Sequence, residues 1–288
     1  LITAVFAGIY VGLRNIPDAQ CGFLHHEVTE VLEDGTEVCS ATNHAKFVDL
    51  SRFQYAVRIE LEPLGVPAPG EPIDFHARFV TPDGNSLQPH ELAVTHTERI
   101  HLMLVDATLN DYHHVHPEPI GATGTWAFTI TPRYASDYRA YAEMVPVQTR
   151  RQAIAYTSLA IGDSPVDRKP EANERWTADV GGYRFELLSE DNRLRRSREN
   201  RLDLRISRPD GRPVELEEIM GAYAHLVAFD GSRSGFAHMH PFYNGKQGHP
   251  EPEIGFLFFS PKSGYHRIWA QVKIEGEELF APFDVMVR

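Results

Sequence analysis

Cysteine is nearly missing from this chain: Cys21 and Cys39 are the only two in 288 residues. That excludes a small domain built on a disulfide framework. No Cys-x-x-Cys-His occurs, so covalent c-type haem is excluded too. Positive charge is scarce, with 28 Lys and Arg against 40 Asp and Glu and a net charge of −12 with His neutral. Phosphate binding needs a basic surface, so nucleic acid and broad adhesion to anionic lipid are poor candidates. No long segment carries a clean 3.6-residue apolar stripe, and the best helix candidate is the short stretch Val214–Tyr223. Nucleophile elbows, phosphate-binding loops, Gly-x-Gly-x-x-Gly and His-Glu-x-x-His are all missing. The chain therefore reads as a non-enzyme.

What is present is ordinary in bulk and unusual in detail. The chain is 42% hydrophobic and 24% charged, a composition that folds, and its length suits two domains. Two cysteines close together suggest one disulfide, Cys21 to Cys39, in an oxidising compartment, the alternative being two unrelated thiols. Glu27–Val38 reads as a hairpin turning at Asp34-Gly35, which would bring the two thiols together. Cys21, His25, His26, Cys39 and His44 form a competing zinc set, although their spacing matches no standard finger. Leu1–Leu13 is almost unbroken apolar sequence. Thirteen residues fall short of the ~20 needed to span a bilayer. We read 1–14 as the outer end of a membrane anchor, against a signal-peptide remnant or a buried strand.

The strongest signal is an internal repeat. His101–Pro117 (HLMLVDATLNDYHHVHP) aligns without a gap on His225–Pro241 (HLVAFDGSRSGFAHMHP), at an offset of 124. His101, Asp106, His114, His116 and Pro117 match His225, Asp230, His238, His240 and Pro241, and Tyr112 matches Phe236. The flanks repeat as well, and Tyr138–Glu143 resembles His266–Gln271. The expected organisation is a Cys-containing lead-in over 15–50, one repeat over 51–163, a linker over 164–173 and a second repeat over 174–288. Short alternating segments such as Ile73–Val80 and Leu202–Ile206, separated by Pro-Asp-Gly turns, read as strands. The fold class is all-β, as two tandem immunoglobulin-like or cupredoxin-like sandwiches.

The histidines number 15. On a strand, residues two apart share a face, so His114 pairs with His116 and His238 with His240. His101 and His225 lie 13 residues before the first His of each pair, and a hairpin would bring them onto the neighbouring strand. Three imidazoles per copy suit Cu(II) or Zn(II). His76, His96 and His113 are possible additions in the first copy. The competing reading is structural: each His lies among apolar residues and a duplicated domain keeps structural features as readily as functional ones. A second cluster, Arg193, Arg195, Arg196, Arg198, Arg201 and Arg205, interleaves with acids. It reads either as a docking patch for an acidic partner or as a solvated hairpin.

The two 17-residue segments resemble a family of bacterial secreted or membrane-anchored proteins. That family carries a His-Leu start, a turn, an aromatic residue and His-x-His-Pro, often twice per chain. Here His101, Asp106, Leu109, Tyr112, His114, His116 and Pro117 carry the resemblance, as do His225, Asp230, Phe236, His238, His240 and Pro241. The resemblance covers about 51–288 and implies the sandwich fold and an extracytoplasmic, periplasmic-side location, with a suggested link to copper or heavy metals. Two functions follow as expectations. One is a non-catalytic, membrane-anchored accessory subunit docked on an integral membrane complex, of an electron-transfer or photosynthetic kind. The other is a periplasmic copper-binding or copper-handling protein using the His-x-His-Pro sites.

Overall fold

The computed structural model describes residues 6, 28–31, 37–40, 47–52, 57–162, 170–242 and 252–288. The lead-in contributes β1 (Val28–Val31), β2 (Glu37–Ser40) and β3 (Val48–Asp49). Repeat one holds β4 (Arg58–Pro63), β5 (Ile73–Val80), β6 (Ile100–Val105), β7 (Tyr112–Val115), β8 (Glu118–Pro119), β9 (Trp126–Ile130), β10 (Ser136–Met144) and β11 (Ala153–Ile161). Repeat two holds β12 (Thr177–Val180), β13 (Tyr183–Ser189), β14 (Glu199–Ser207), β15 (Leu216–Glu217), β16 (Ala224–Asp230), β17 (Gly235–Met239), β18 (Glu253–Phe259), β19 (Gly264–Ile274) and β20 (Glu277–Val287). Among the described residues the longest helical elements are three-residue 3-10 turns. The chain is an all-β protein of two duplicated sandwiches.

In repeat one, the sheet β4-β5-β9-β8 packs on the sheet β11-β10-β6-β7. In repeat two, β12-β13-β14-β18 packs on the sheet formed by β15, β16, β17, β19 and β20. β1 and β2 pair as a hairpin with Thr29 opposite Cys39, so strands flank the expected Asp34-Gly35 turn, which itself lies outside the described residues. β3 adds to the edge of β17 in repeat two. Val214–Tyr223 is no helix: β15 and a tight turn from Ile219 to Ala222 occupy it. The physical reason is period-two burial at Val214 and Leu216, followed by positive φ at Met220 and Gly221.

Alternation explains how the repeats meet. On β6, Ile100, Leu102 and Leu104 enter the core of sandwich one, while Met103 and Val105 belong to a separate apolar cluster. On β16, Leu226 and Ala228 enter the core of sandwich two, while Val227 and Phe229 join that same separate cluster. The outer faces of these two sheets therefore pack on each other through Met103, Tyr112, Tyr141, Phe229, Phe236 and Trp269. Tyr112 stacks on Trp269 at a centroid distance of 5.8 Å, and Tyr141 lies 5.3 Å from Phe236. Fully burying an aromatic of this size stabilises by roughly 1.5–3 kcal/mol, so the junction is an extended core and not a loose contact.

Reciprocal contacts lock the junction. The Arg267 guanidinium donates to the Leu109 carbonyl at 3.0 Å, and that of Arg139, on β10, donates to the Arg233 carbonyl. Leu109 and Arg233 are matching positions of the repeat, and both have positive φ, 61° and 53°. Each repeat thus offers one turn carbonyl to an arginine of the other, as a pseudo-two-fold arrangement requires.

Candidate metal centre

The register of the hairpins fixes where the histidines go. On β6 and β7, Leu102 faces Val115 and Met103 faces His114. On β16 and β17, Leu226 faces Met239 and Val227 faces His238. Period two then puts His101, His114 and His116 on the outer face of sheet one, and His225, His238 and His240 on the outer face of sheet two. Because those faces meet, six imidazoles converge at one end of the aromatic junction, and the repeats build one shared centre. His101, His114, His225, His238 and His240 are buried, and His116 is partly buried.

Two sets of three imidazoles each bring one ring nitrogen per residue within 4.8 Å of the others: His101, His114 and His238, and His225, His238 and His240. The first set joins both repeats. Its tautomers follow from its partners, since a carbonyl or carboxylate can only accept. His101 Nε2 lies 3.2 Å from the Thr95 carbonyl and so carries the proton, which leaves the lone pair on Nδ1. His114 Nδ1 lies 2.9 Å from Gln271 Oε1, whose amide nitrogen donates in turn to Glu278 at 3.0 Å, so the lone pair of His114 is on Nε2. His238 Nδ1 donates to Glu143 Oε2 at 2.7 Å, leaving its lone pair on Nε2.

The lone pairs of His101 and His114 are therefore aimed at each other, and a ring nitrogen of His238 belongs to the same set. His101 Nδ1 and His114 Nε2 are 3.4 Å apart, and in these tautomers neither has a proton to give. Two ligands 2.0–2.1 Å from a tetrahedral ion stand about 3.3–3.4 Å apart, so the spacing already suits a cation. His238 Nε2, His116 Nε2 and both ring nitrogens of His225 are buried without a hydrogen-bond partner. Leaving a buried polar atom unpaired costs about 1–3 kcal/mol, and a cluster of them at one point calls for an explanation. The outer partners Thr95, Gln271 and Glu143 orient their rings as outer-shell groups orient metal-bound imidazoles.

The electrostatics disfavour charge on His96, His101, His114, His116, His225 and His240. Burial, with His238 close by, pushes His96 and His116 down to about 4. Burial and crowding among the imidazoles hold His101, His114, His225 and His240 well below the usual range. Neutral imidazole is the form that binds a metal.

His96 completes the cluster from a strained turn. Thr95 and Glu98 exchange backbone hydrogen bonds of 2.8 and 3.1 Å, and His96 and Thr97 between them have φ of 51° and 69°. Such a turn normally takes Asn-Gly. Strain of this kind collects at functional sites. Here the turn sets the His96 ring 3.8 Å from that of His240 and 6.3 Å from that of His101. Met220 holds the matching position in repeat two, with φ of 52°. Beside the centre, a cavity of about 650 Å³ is lined by His116, Asp74, Glu98 and Glu118. Burial and the neighbouring Glu118 push the Glu98 carboxyl up.

Other sequence candidates fall elsewhere. His113 points to the opposite face of β7 and bonds Asp111 at 3.1 Å. His76 lies on β5 and takes part in neither triad. Asp106 and Asp230 are turn organisers: Asp106 accepts from the backbone of Thr108, Asn110 and Asp111, and Asp230 from that of Ser234. Arg193, Arg195, Arg196 and Arg198 are exposed on the connection from β13 to β14, and Arg201 is on the exposed side of β14. Arg195 approaches Glu190 at 3.7 Å and Arg201 pairs with Asp203 at 2.8 Å. Cys21, His25, His26, His44 and all of 1–14 except Phe6 lie outside the described residues, as does the side chain of Cys39. No helix among the described residues is long and apolar enough to cross a membrane.

Sequence reasoning missed Glu143, Gln271 and Thr95. Glu143 and Gln271 ended the repeated segments 138–143 and 266–271, so their equivalence was visible, but their contact across the junction was not.

Comparison with known proteins adds a family and little else. The description of a domain of unknown function, DUF8832, matches residues 54–159 and again 178–288. No curated protein matches. Among solved structures, FdeC, an Escherichia coli adhesin, is similar at 11% identity and a TM-score of 0.26, over 81% of this chain and 65% of that one. Trypsin-activated α-2-macroglobulin from Escherichia coli is similar at 12% identity and a TM-score of 0.27, over 81% of this chain and 18% of that one. This chain thus spans less than two thirds of either.

Proposed function

The chain belongs to the DUF8832 family, and on the chemistry of its junction we propose that it is an extracytoplasmic copper-binding or copper-handling protein whose two repeats share one all-imidazole centre. The observation that carries this reading is the convergence of His101, His114 and His238, three buried imidazoles with ring nitrogens within 4.8 Å of one another and with one nitrogen of each ring committed to Thr95, Gln271 and Glu143. A purely structural role would leave each ring with its hydrogen bonds made, and these lack them on the side where they face one another. Imidazole suits copper and zinc, and at equal access Cu(II) binds such donors more tightly than Zn(II).

Among the described residues no nucleophile and base stand together at the centre, and the proposed role is to hold and pass on a cation without chemistry on a substrate. The cavity beside His116, with Asp74, Glu98 and Glu118 on its wall, gives a cation an acidic approach. The other reading, an anchored accessory subunit on a membrane complex, draws on segment 1–14 and on the arginine-rich connection, whose Arg195 and Arg201 already face acids of their own chain. Co-purification of integral membrane subunits with the chain from its native membrane would favour that reading.

The test is calorimetric titration of the metal-stripped chain with Cu(II) at pH 7, followed by metal analysis after desalting. Retained copper that is lost in His238→Gln, the residue common to both sets, supports the proposal. Lack of binding at micromolar Cu(II) and Cu(I) sinks it.

A further inference from the structure

Both triads contain His238. Its ring sits in the middle of the cluster, with centroids 5.4 Å from His101, 5.1 Å from His114, 5.7 Å from His225 and 4.6 Å from His240. A neutral imidazole has one lone pair. His238 Nδ1 spends its proton on Glu143 at 2.7 Å, deep in the junction, so that lone pair is on Nε2, a buried atom without a hydrogen-bond partner. One lone pair ligates one ion. Binding two ions through both ring nitrogens would require His238 to lose its proton and its bond to Glu143. The two triads therefore exclude each other, although together they contain five imidazoles.

We propose that the centre carries one cation at a time and that His238 hands it between two triads, the cross-repeat set with His101 and His114 and the repeat-two set with His225 and His240. The transfer exchanges neutral ligands only. The ion keeps its bond to His238 Nε2, releases His101 and His114 one after the other, and gains His225 and His240, so no charge or electron is left unbalanced. The triads differ in what supports them. His101 and His114 are held by Thr95 and Gln271, whereas neither ring nitrogen of His225 has a partner. One set is oriented by outer hydrogen bonds and His225 of the other is not, which suits acceptance at one end and release at the other.

This inference rests on the proposed copper binding, and its test separates the two. The metal-stripped full chain is loaded with Cu(II), and its copper content and electron paramagnetic resonance spectrum are measured. The wild type should hold one ion per chain and show two overlapping Cu(II) species already below one equivalent. The double variant His101→Gln/His114→Gln and the double variant His225→Gln/His240→Gln should each still hold one ion, each showing one of the two spectra. His238→Gln should weaken binding by more than the roughly 10–100-fold that outer-shell changes cost. Two ions per chain, a single spectral species in the wild type, or loss of all copper on removing one arm alone would overturn the hand-over. If the wild type holds no copper, copper binding itself fails. The spectrum of the unaltered protein decides the matter even if a variant fails to fold.

Discussion

Glu143 and Gln271 occupy matching positions, yet one is a carboxylate and the other an amide, and each orients the histidine of the opposite repeat. A charged acceptor raises the basicity of its imidazole more than a neutral one does, and changing such a group typically costs 10–100-fold in metal affinity. Glu143→Gln keeps the hydrogen bond and removes the charge, so the expected loss of Cu(II) affinity is about tenfold, at the low end of that range. Competition against a chromogenic chelator measures it, and unchanged affinity would remove Glu143 from the site. Disfavoured charge in the cluster has a consequence for stability. His96 and His116 are held at about 4, below the ordinary 6.5, so on acidification the unfolded chain takes up protons first. Stability without metal is then full above pH 6.5 and falls between pH 6.5 and about 4, by about 3 kcal/mol from each of these two residues, with the four more deeply buried imidazoles acting in the same direction. Urea unfolding midpoints across pH 7.5–4.5 would show the decline, and a flat profile would contradict it.

Among the elements, β3 shows how closely the lead-in is fitted to repeat two. Gly235 faces Asp49 across the β17–β3 pair, and a Cβ added there would lie 1.7 Å from the Val48 carbonyl oxygen. Gly235→Ala is expected to push β3 off the edge and cost about 1–3 kcal/mol in denaturant unfolding, the usual range for overpacking. A variant as stable as the wild type would mean that β3 contributes nothing. Strand alternation made much of this legible beforehand. The pairing of His114 with His116, the hairpins that bring His101 and His225 alongside, and the sandwich class all follow from period two and turn chemistry. Val214–Tyr223 misled because Val214, Leu216, Ile219 and Met220 fall at spacings that a short helix also offers, and only the Ile219–Ala222 turn decides between them. The lead-in lay beyond the repeat, so its third strand had no partner that the sequence could name.

For the whole molecule, the unread part was the junction. β6 and β16 are buried at every position, because one face enters its own sandwich and the other meets the second repeat. Their continuous apolar runs do not say which face is which. Each copy therefore read as a site of its own, and nothing in the spacing revealed that His238 would complete a triad begun by His101 and His114 in the other copy. The same packing ties metal to folding. An ion held by both repeats stabilises only the docked chain, by about 2.7 kcal/mol at a hundredfold excess over Kd, so copper should raise the melting temperature of both sandwiches together. Differential scanning calorimetry with and without one equivalent of Cu(II) tests this, and a shift confined to one of two separate transitions would contradict a shared centre.

The most direct measurement is anomalous diffraction at the copper edge from crystals of the chain loaded with one equivalent of Cu(II). The expected result is density in the junction about 2 Å from His238 Nε2, reached by imidazoles of both repeats. Copper found only at surface histidines such as His90, with the junction imidazoles keeping their present spacing, would contradict the account.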